Sequence, residues 1–168
     1  MIFQGKAWKF GPDVNTDEII PARYLYFVDP AKLAEHVMED ADPEFPSKVA
    51  PGDIIVAGKN FGCGSSREHA AVALKGAGVA CVIAASFARI FFRNAFNTGL
   101  LILESPEASE GIGQGDIVEV DPDEGTIRDI STGRVFKVAP IPLFIQELLE
   151  DGGLIPHLRK SLPHCAGE

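Results

Sequence analysis

The chain of 168 residues has three cysteines, Cys63, Cys81 and Cys165, with no CxxC pair among them. An odd, scattered set excludes a disulfide framework and supplies no complete metal site. There is no run of about 18 apolar residues, which excludes a membrane-spanning helix of the usual kind. The opening MIFQGKAWKF alternates in character where a secretion signal needs an apolar stretch. Basic residues are scarce: 15 Lys and Arg against 24 Asp and Glu leave a formal charge of -9. A surface of that sign repels nucleic acid and anionic membrane, so any anion must be held locally. With no low-complexity tract either, these absences point to a soluble, cytoplasmic, folded protein. Residues 1–168 read as a single domain, long enough to bury roughly 70% of its unfolded surface.

What is present reads as an α/β pattern. IFQGKAWKF alternates like a half-buried strand, and GPDVNTDEIIPARYL has the composition of an ordered loop. In DPAKLAEHVMED, Leu33, Val37 and Met38 recur at helical spacing, with Asp29 as the cap, Pro30 at the first position and His36 as a solvated side chain. ADPEFPSKVAPGD reads as a loop. DIIVAG, VACVIAAS and LLILE are continuous apolar runs suited to buried parallel strands, and helices over SREHAAVALKGAG and FARIFFRNAFNTG join them. Phe87, Ile90, Phe91 and Ala95 form the expected core stripe of the second helix. GDIVEVD, GTIRDI and RVFKVA predict a small antiparallel sheet beside the partly parallel core. PLFIQELLEDGG predicts a helix, and LIPHLRKSLPHCAGE a short helix with a loose tail containing Cys165.

Between strand and helix lies GKNFGCGSSREHAA, Gly58 to Ala71, with three glycines and two serines beside Arg67, Glu68 and His69. Glycines there let the backbone approach a ligand, and the first N–H groups of the helix attract negative charge. Three familiar sites fail on the letters. GxGxxG is broken by Arg67, the phosphate loop by Asn60 after Gly58 and Lys59, and the nucleophile elbow by Glu68. Ser65, Ser66 and Arg67 remain, able to grip a carboxylate through hydroxyls, backbone N–H groups and a guanidinium fork. The plainer reading is a capping box, Ser65 with Glu68, and Arg67 on a solvated face. Cys63 is either a thiol near a ligand or a bystander, and Cys81 belongs to the core.

GKNFGCGSSREHAA, DVNTDEIIPARYL (Asp13 to Leu25) and ASFARIFFRNAFNTGL (Ala85 to Leu100) together resemble, in order and spacing, the small subunits of 3-isopropylmalate dehydratases in the aconitase superfamily. The resemblance covers essentially the whole chain, whose length is that of the short, archaeal-type small subunits. It implies a swivelling β/β/α domain, equivalent to the mobile fourth domain of aconitase. It implies Ser65 as catalytic base and Ser66 and Arg67 as the substrate-carboxylate grip. Thr16 and Asp17 are implied beside that site, with Glu68 and His69 orienting the helix. The position two after the tyrosine of Tyr24-Leu25, here Tyr26, is implied to read the substrate's variable group. Arginine there suits an extra carboxylate and an apolar residue suits an isopropyl group.

The implied reaction moves a hydroxyl between adjacent carbons of a 2-substituted malate by dehydration and rehydration, in leucine biosynthesis. Its Lewis acid is a [4Fe-4S] cluster held by three cysteines of a large subunit. This chain is expected to bind no metal itself and to be half an active site, with that large subunit as partner and a small dicarboxylate as substrate. Two alternatives stay open: a homoaconitase small subunit, and a noncatalytic anion-binding module of the same fold. Ser65 and Arg67 together oppose the module, and Tyr26 between Leu25 and Phe27 opposes a third carboxylate.

Overall fold

The computed structural model describes residues 1–162. Seven strands carry the fold: β1 (Phe3–Lys9), β2 (Ile54–Ala57), β3 (Cys81–Ala84), β4 (Leu101–Glu104), β5 (Ile117–Asp121), β6 (Thr126–Asp129) and β7 (Val135–Lys137). They form one sheet in the order β4-β3-β2-β1-β5-β6-β7. The parallel part and the antiparallel part are thus continuous, joined by the long β1. Its first half pairs antiparallel with β5, Phe3 against Val120 to Lys6 against Ile117. Its second half pairs parallel with β2, Ala7 against Ile54 to Lys9 against Val56. The expected small antiparallel sheet is therefore an extension of the core sheet.

The strand chemistry follows the burial. IIVA and CVIA are buried throughout because both faces of the parallel half are covered. Trp8, Ile55, Ala57, Val82, Ala84 and Ile102 face one side. Ala7, Ile54, Val56, Cys81, Ile83 and Leu101 face the other. Against the first side lie α1 (Thr16–Ile19), α2 (Pro30–Ala34), α3 (Phe45–Lys48), α4 (Glu68–Gly76) and α5 (Arg89–Thr98). The second is covered by α6 (Pro106–Gly111) and by Ile145 and Leu149 of α7 (Leu143–Glu150). Finally, α8 (Leu154–Ser161) packs beside α5 and α7.

Several local expectations change. Asp29 caps α2 through Ala31 N–H at 3.0 Å, as expected, but the helix stops at Ala34 and Met38 turns to φ +59°. Val37 and Met38 are still buried, so their spacing reported burial and not helix length. The proline-rich loop contains α3, because Phe45 is fully buried and sets its ring edge-on to Trp8 and Phe10. On α5, Phe91 and Ala95 are buried while Ile90 is 46% exposed, so the stripe is narrower than expected. Its end at Gly99, with φ +81°, is as expected. Cys81 is in the core, and the tail with Cys165 lies outside the described residues.

Candidate active site

The glycine loop leaves the carboxyl end of β2, where ligands of open α/β sheets bind. Two neighbouring segments hold it. On one side Phe61, fully buried, places its ring 5.2 Å from Phe91 and 6.0 Å from Phe87. Its N–H donates to Ser86 O at 3.0 Å and its carbonyl accepts from Ala88 N–H at 2.9 Å. Gly62 must be glycine: its φ is +82°, and a Cβ there would lie 2.3 Å from Phe91 Cγ.

The other side is the Asp13–Ile19 segment. Gly62 N–H donates to Val14 O at 2.7 Å, and Thr16 N–H donates to Cys63 O at 2.8 Å. Asn15 caps α1, accepting from Glu18 N–H at 3.0 Å, while the Glu18 carboxylate accepts from Asn15 N–H at 3.4 Å. This reciprocal cap sets the first turn of α1 against the glycine loop. From that turn the buried Thr16 hydroxyl donates to Ser65 O at 3.0 Å, and Asp17 forms an ion pair with Arg67. Thr16, Asp17, Ser65 and Arg67, from two distant stretches of sequence, are thus joined by direct bonds.

The capping-box reading of SSRE does not hold. α4 begins at Glu68, its N-cap is Arg67 with extended backbone, and no side chain caps it. Ser65 and Ser66 therefore lie exposed ahead of the helix, free of a capping duty. Nor does Arg67 lie on a solvated face, because its side chain is only 16% exposed while that of Asp17 is 62% exposed. The first turn of α4 has no side-chain cap, so its free N–H groups and the Arg67 guanidinium are the donors here, with Asp17 and Glu68 as acidic neighbours.

The remaining expected residues lie outside this bonded group. Glu68 and His69 line a concavity of about 110 Å³ with Val28, Leu33 and Val72, on the side of the 24–29 segment. Tyr26 is 73% exposed and its ring contacts Phe27 at 4.3 Å, without a bond to Ser65 or Arg67. Burial, with the Asp13 and Glu18 carboxylates near it, pushes the Cys63 thiol up. It is held protonated, the wrong state for a nucleophile. The residues that sequence reasoning missed are Asn15 and Glu18. Their N-x-x-E spacing is a readable capping signal inside NTDE.

The aconitase C-terminal domain family matches residues 24–108. Across 162 residues the chain is 60% identical to the 3-isopropylmalate dehydratase small subunit of Moorella thermoacetica, covering 96% of this chain and 98% of that one. With the corresponding small subunit of Nautilia profundicola it shares 61% identity over 161 residues, 96% of each chain. The chain belongs to the 3-isopropylmalate dehydratase small-subunit family.

Membership makes it one component of a hydro-lyase that works with a large subunit. A family relative from Methanocaldococcus jannaschii, 56% identical over 96% of both chains, is named an isopropylmalate/citramalate isomerase small subunit. A crystal structure of 3-isopropylmalate dehydratase from that organism superposes with a TM-score of 0.90 at 48% identity, covering 96% of this chain and 95% of that one. The α/β fold with its partly parallel sheet is therefore the fold of this small-subunit family. Among the described residues no group of three or more His, Cys, Asp or Glu side chains is placed to hold a metal. Cys81 lies inside the sheet and Cys63 against Asn15, so the described thiols do not fit an iron–sulfur cluster. Among the same residues no helix is long and apolar enough to cross a membrane.

Proposed function

We propose that this chain supplies the proton-transfer group and the carboxylate grip for interconverting 2-isopropylmalate and 3-isopropylmalate, with the whole of residues 1–168 acting as one swivelling domain. The large subunit carries the [4Fe-4S] cluster on this reading, and this chain binds none. The observation that carries the proposal is the set of bonds from Thr16 and Asp17 to Ser65 and Arg67. A base must be held at a fixed place to remove a proton from carbon, and backbone anchoring of Ser65 through Thr16 does that.

In this reading Ser65 Oγ, as the oxyanion, takes a proton from the carbon next to the one bearing the hydroxyl as that hydroxyl leaves. On rehydration the hydroxyl adds to the carbon that lost the proton, and Ser65 returns the proton to the carbon that lost the hydroxyl. A serine hydroxyl is a weak base unless its oxyanion is stabilised. The uncapped N–H groups of α4 and the Arg67 guanidinium provide positive potential for it. Ser66 and Arg67 hold a substrate carboxylate. Asp17, paired with Arg67, orients the fork, and the pairing offsets the repulsion a lone carboxylate would exert on a dianion. Glu68 and His69 set the first turn of α4 against the 24–29 segment.

Tyr26, with Leu25 and Phe27, forms the wall for the variable group. Such a wall favours an alkyl group over a third carboxylate, which would lose water without gaining a cation. The relative named for citramalate as well as isopropylmalate favours a second reading, in which a methyl group is accepted too. The acidic surface and the absence of a long apolar segment among the described residues support a cytoplasmic location and oppose nucleic acid or membrane as partners.

The test is anaerobic reconstitution with a large subunit carrying an intact cluster, then turnover of isopropylmalate, citramalate and homoaconitate. Turnover of isopropylmalate by the mixture and by neither chain alone is the expected result. A preference for homoaconitate would overturn the substrate assignment, and turnover by this chain alone would overturn the division of labour.

A further inference from the structure

The segment that carries Tyr26 is fixed by a residue that the sequence pattern assigned to solvent. His36 is half-buried, and its ring stacks face to face on Tyr24, centroids 3.7 Å apart and planes within 5°. Phe27 lies parallel to both rings, 6.2 Å from His36 and 6.4 Å from Tyr24. Tyr26 in turn rests on Phe27 at 4.3 Å. The turn between the two stacked residues is closed by Phe27 N–H donating to Tyr24 O at 3.1 Å.

The stack is also pinned at its polar edges. His36 Nδ1 lies 3.0 Å from one Glu39 oxygen, and Tyr24 O–H donates to the other at 2.6 Å. Arg23 donates to the same Glu39 oxygen at 2.7 Å. Burial of Glu39 works against its charge, yet hydrogen bonds from Tyr24, His36 and Arg23 hold its carboxyl below the usual range. The ionised Glu39 therefore fixes both Tyr24 and His36 in the plane of the stack. Among the described residues, exposed Tyr26 has no comparable anchor of its own, so its place depends on Tyr24 and Phe27, and theirs on His36.

We propose that His36 is a positioning residue for substrate selectivity, setting the Tyr24–Phe27 turn so that Tyr26 meets the substrate's variable group. This rests on the reading of Tyr26 given under Proposed function. A wall held at a fixed distance rewards an isopropyl group that fills the space, whereas a loose wall gains little from either alkyl group. Loss of the stack should therefore cost the larger substrate more than the smaller one, and leave the proton-transfer groups on the glycine loop untouched.

The experiment compares His36→Ala and His36→Phe in the reconstituted two-subunit enzyme, with amide hydrogen exchange of the purified chain read over residues 24–28. For His36→Ala we expect faster exchange there and a KM for isopropylmalate raised about three- to tenfold, with kcat unchanged and the preference over citramalate reduced. His36→Phe, which keeps a ring on Tyr24, should restore exchange and KM most of the way. Unchanged exchange in His36→Ala overturns the proposal. So does faster exchange with unchanged KM and selectivity, or a His36→Phe variant no better than His36→Ala. Tyr26→Arg serves as the separate control: if it leaves the choice among isopropylmalate, citramalate and homoaconitate unchanged, the wall reading itself fails and this proposal falls with it.

Discussion

Arg67 and Asp17, fifty residues apart in the chain, are paired guanidinium to carboxylate at the mouth of the glycine loop. The fork of Arg67 is largely shielded while the Asp17 carboxylate is open to solvent. With one partner open to solvent, the pair contributes about 0–1 kcal/mol to stability, so its value is in aiming the fork. Asp17→Asn should therefore leave the melting temperature nearly unchanged. Loss of orientation should lower kcat/KM roughly tenfold, mostly through KM. Calorimetry on the chain and steady-state kinetics on the two-subunit enzyme read the two effects apart. An unchanged kcat/KM would remove Asp17 from the site.

Thr16→Val keeps the shape of a buried side chain and deletes one bond, the hydroxyl to Ser65 O at 3.0 Å. A neutral hydrogen bond of this kind is worth about 0.5–1.5 kcal/mol. The expected result is a two- to tenfold fall in kcat, about what that energy corresponds to, and faster amide exchange at 62–67. A variant with unaltered exchange in that segment would show that Thr16 does not hold Ser65.

Gly62→Ala combines a left-handed φ of +82° with a Cβ that meets Phe91 Cγ at 2.3 Å. Strain and overpacking together should cost about 2–4 kcal/mol, read as a lower midpoint in urea. Gly115 has a comparable φ of +85° but open space around it. Gly115→Ala should therefore cost distinctly less, and equal costs would show that the Phe91 contact does not matter.

At the opposite end of the sheet, Asp129 is fully buried, and one of its oxygens has no hydrogen-bond partner among the described residues. Burial first, and then the Asp116 carboxyl beside it, push its pKa up. A carboxyl raised in the folded state binds its proton more tightly than in the unfolded chain. Its contribution is thus present below the ordinary carboxylate range and is lost as pH rises through the raised value. Asp129→Asn keeps the shape without the charge, so it should raise the melting temperature near pH 7 and make little difference near pH 3. A stabilisation independent of pH would show that Asp129 is not the titrating group.

The parallel strands were legible because IIVA, CVIA and the first three residues of LILE are apolar, a pattern that burial on both faces demands. The glycine loop was legible as a ligand-binding junction between strand and helix, from its glycines and serines. The contact of NTDEI with it was not, since nothing local in either stretch encodes the pairing of Gly62 with Val14 or of Thr16 with Cys63 and Ser65. Only the family resemblance brought them together. SSRE misled because its capping pattern is satisfied in letters while α4 starts two residues too late to use it. His36 misled because its polarity suggested water, whereas Tyr24, twelve positions earlier in the chain, supplies the face that covers its ring.

The central claim is that Ser65 is the proton-transfer group, and Ser65→Ala assayed with the intact large subunit tests it most directly. The substitution removes Oγ and keeps the backbone carbonyl that Thr16 holds. With assembly and cluster content matched to the unmutated enzyme, kcat should fall about 10²–10⁴-fold, the range of general acid–base catalysis. Turnover near the unmutated rate would contradict the account.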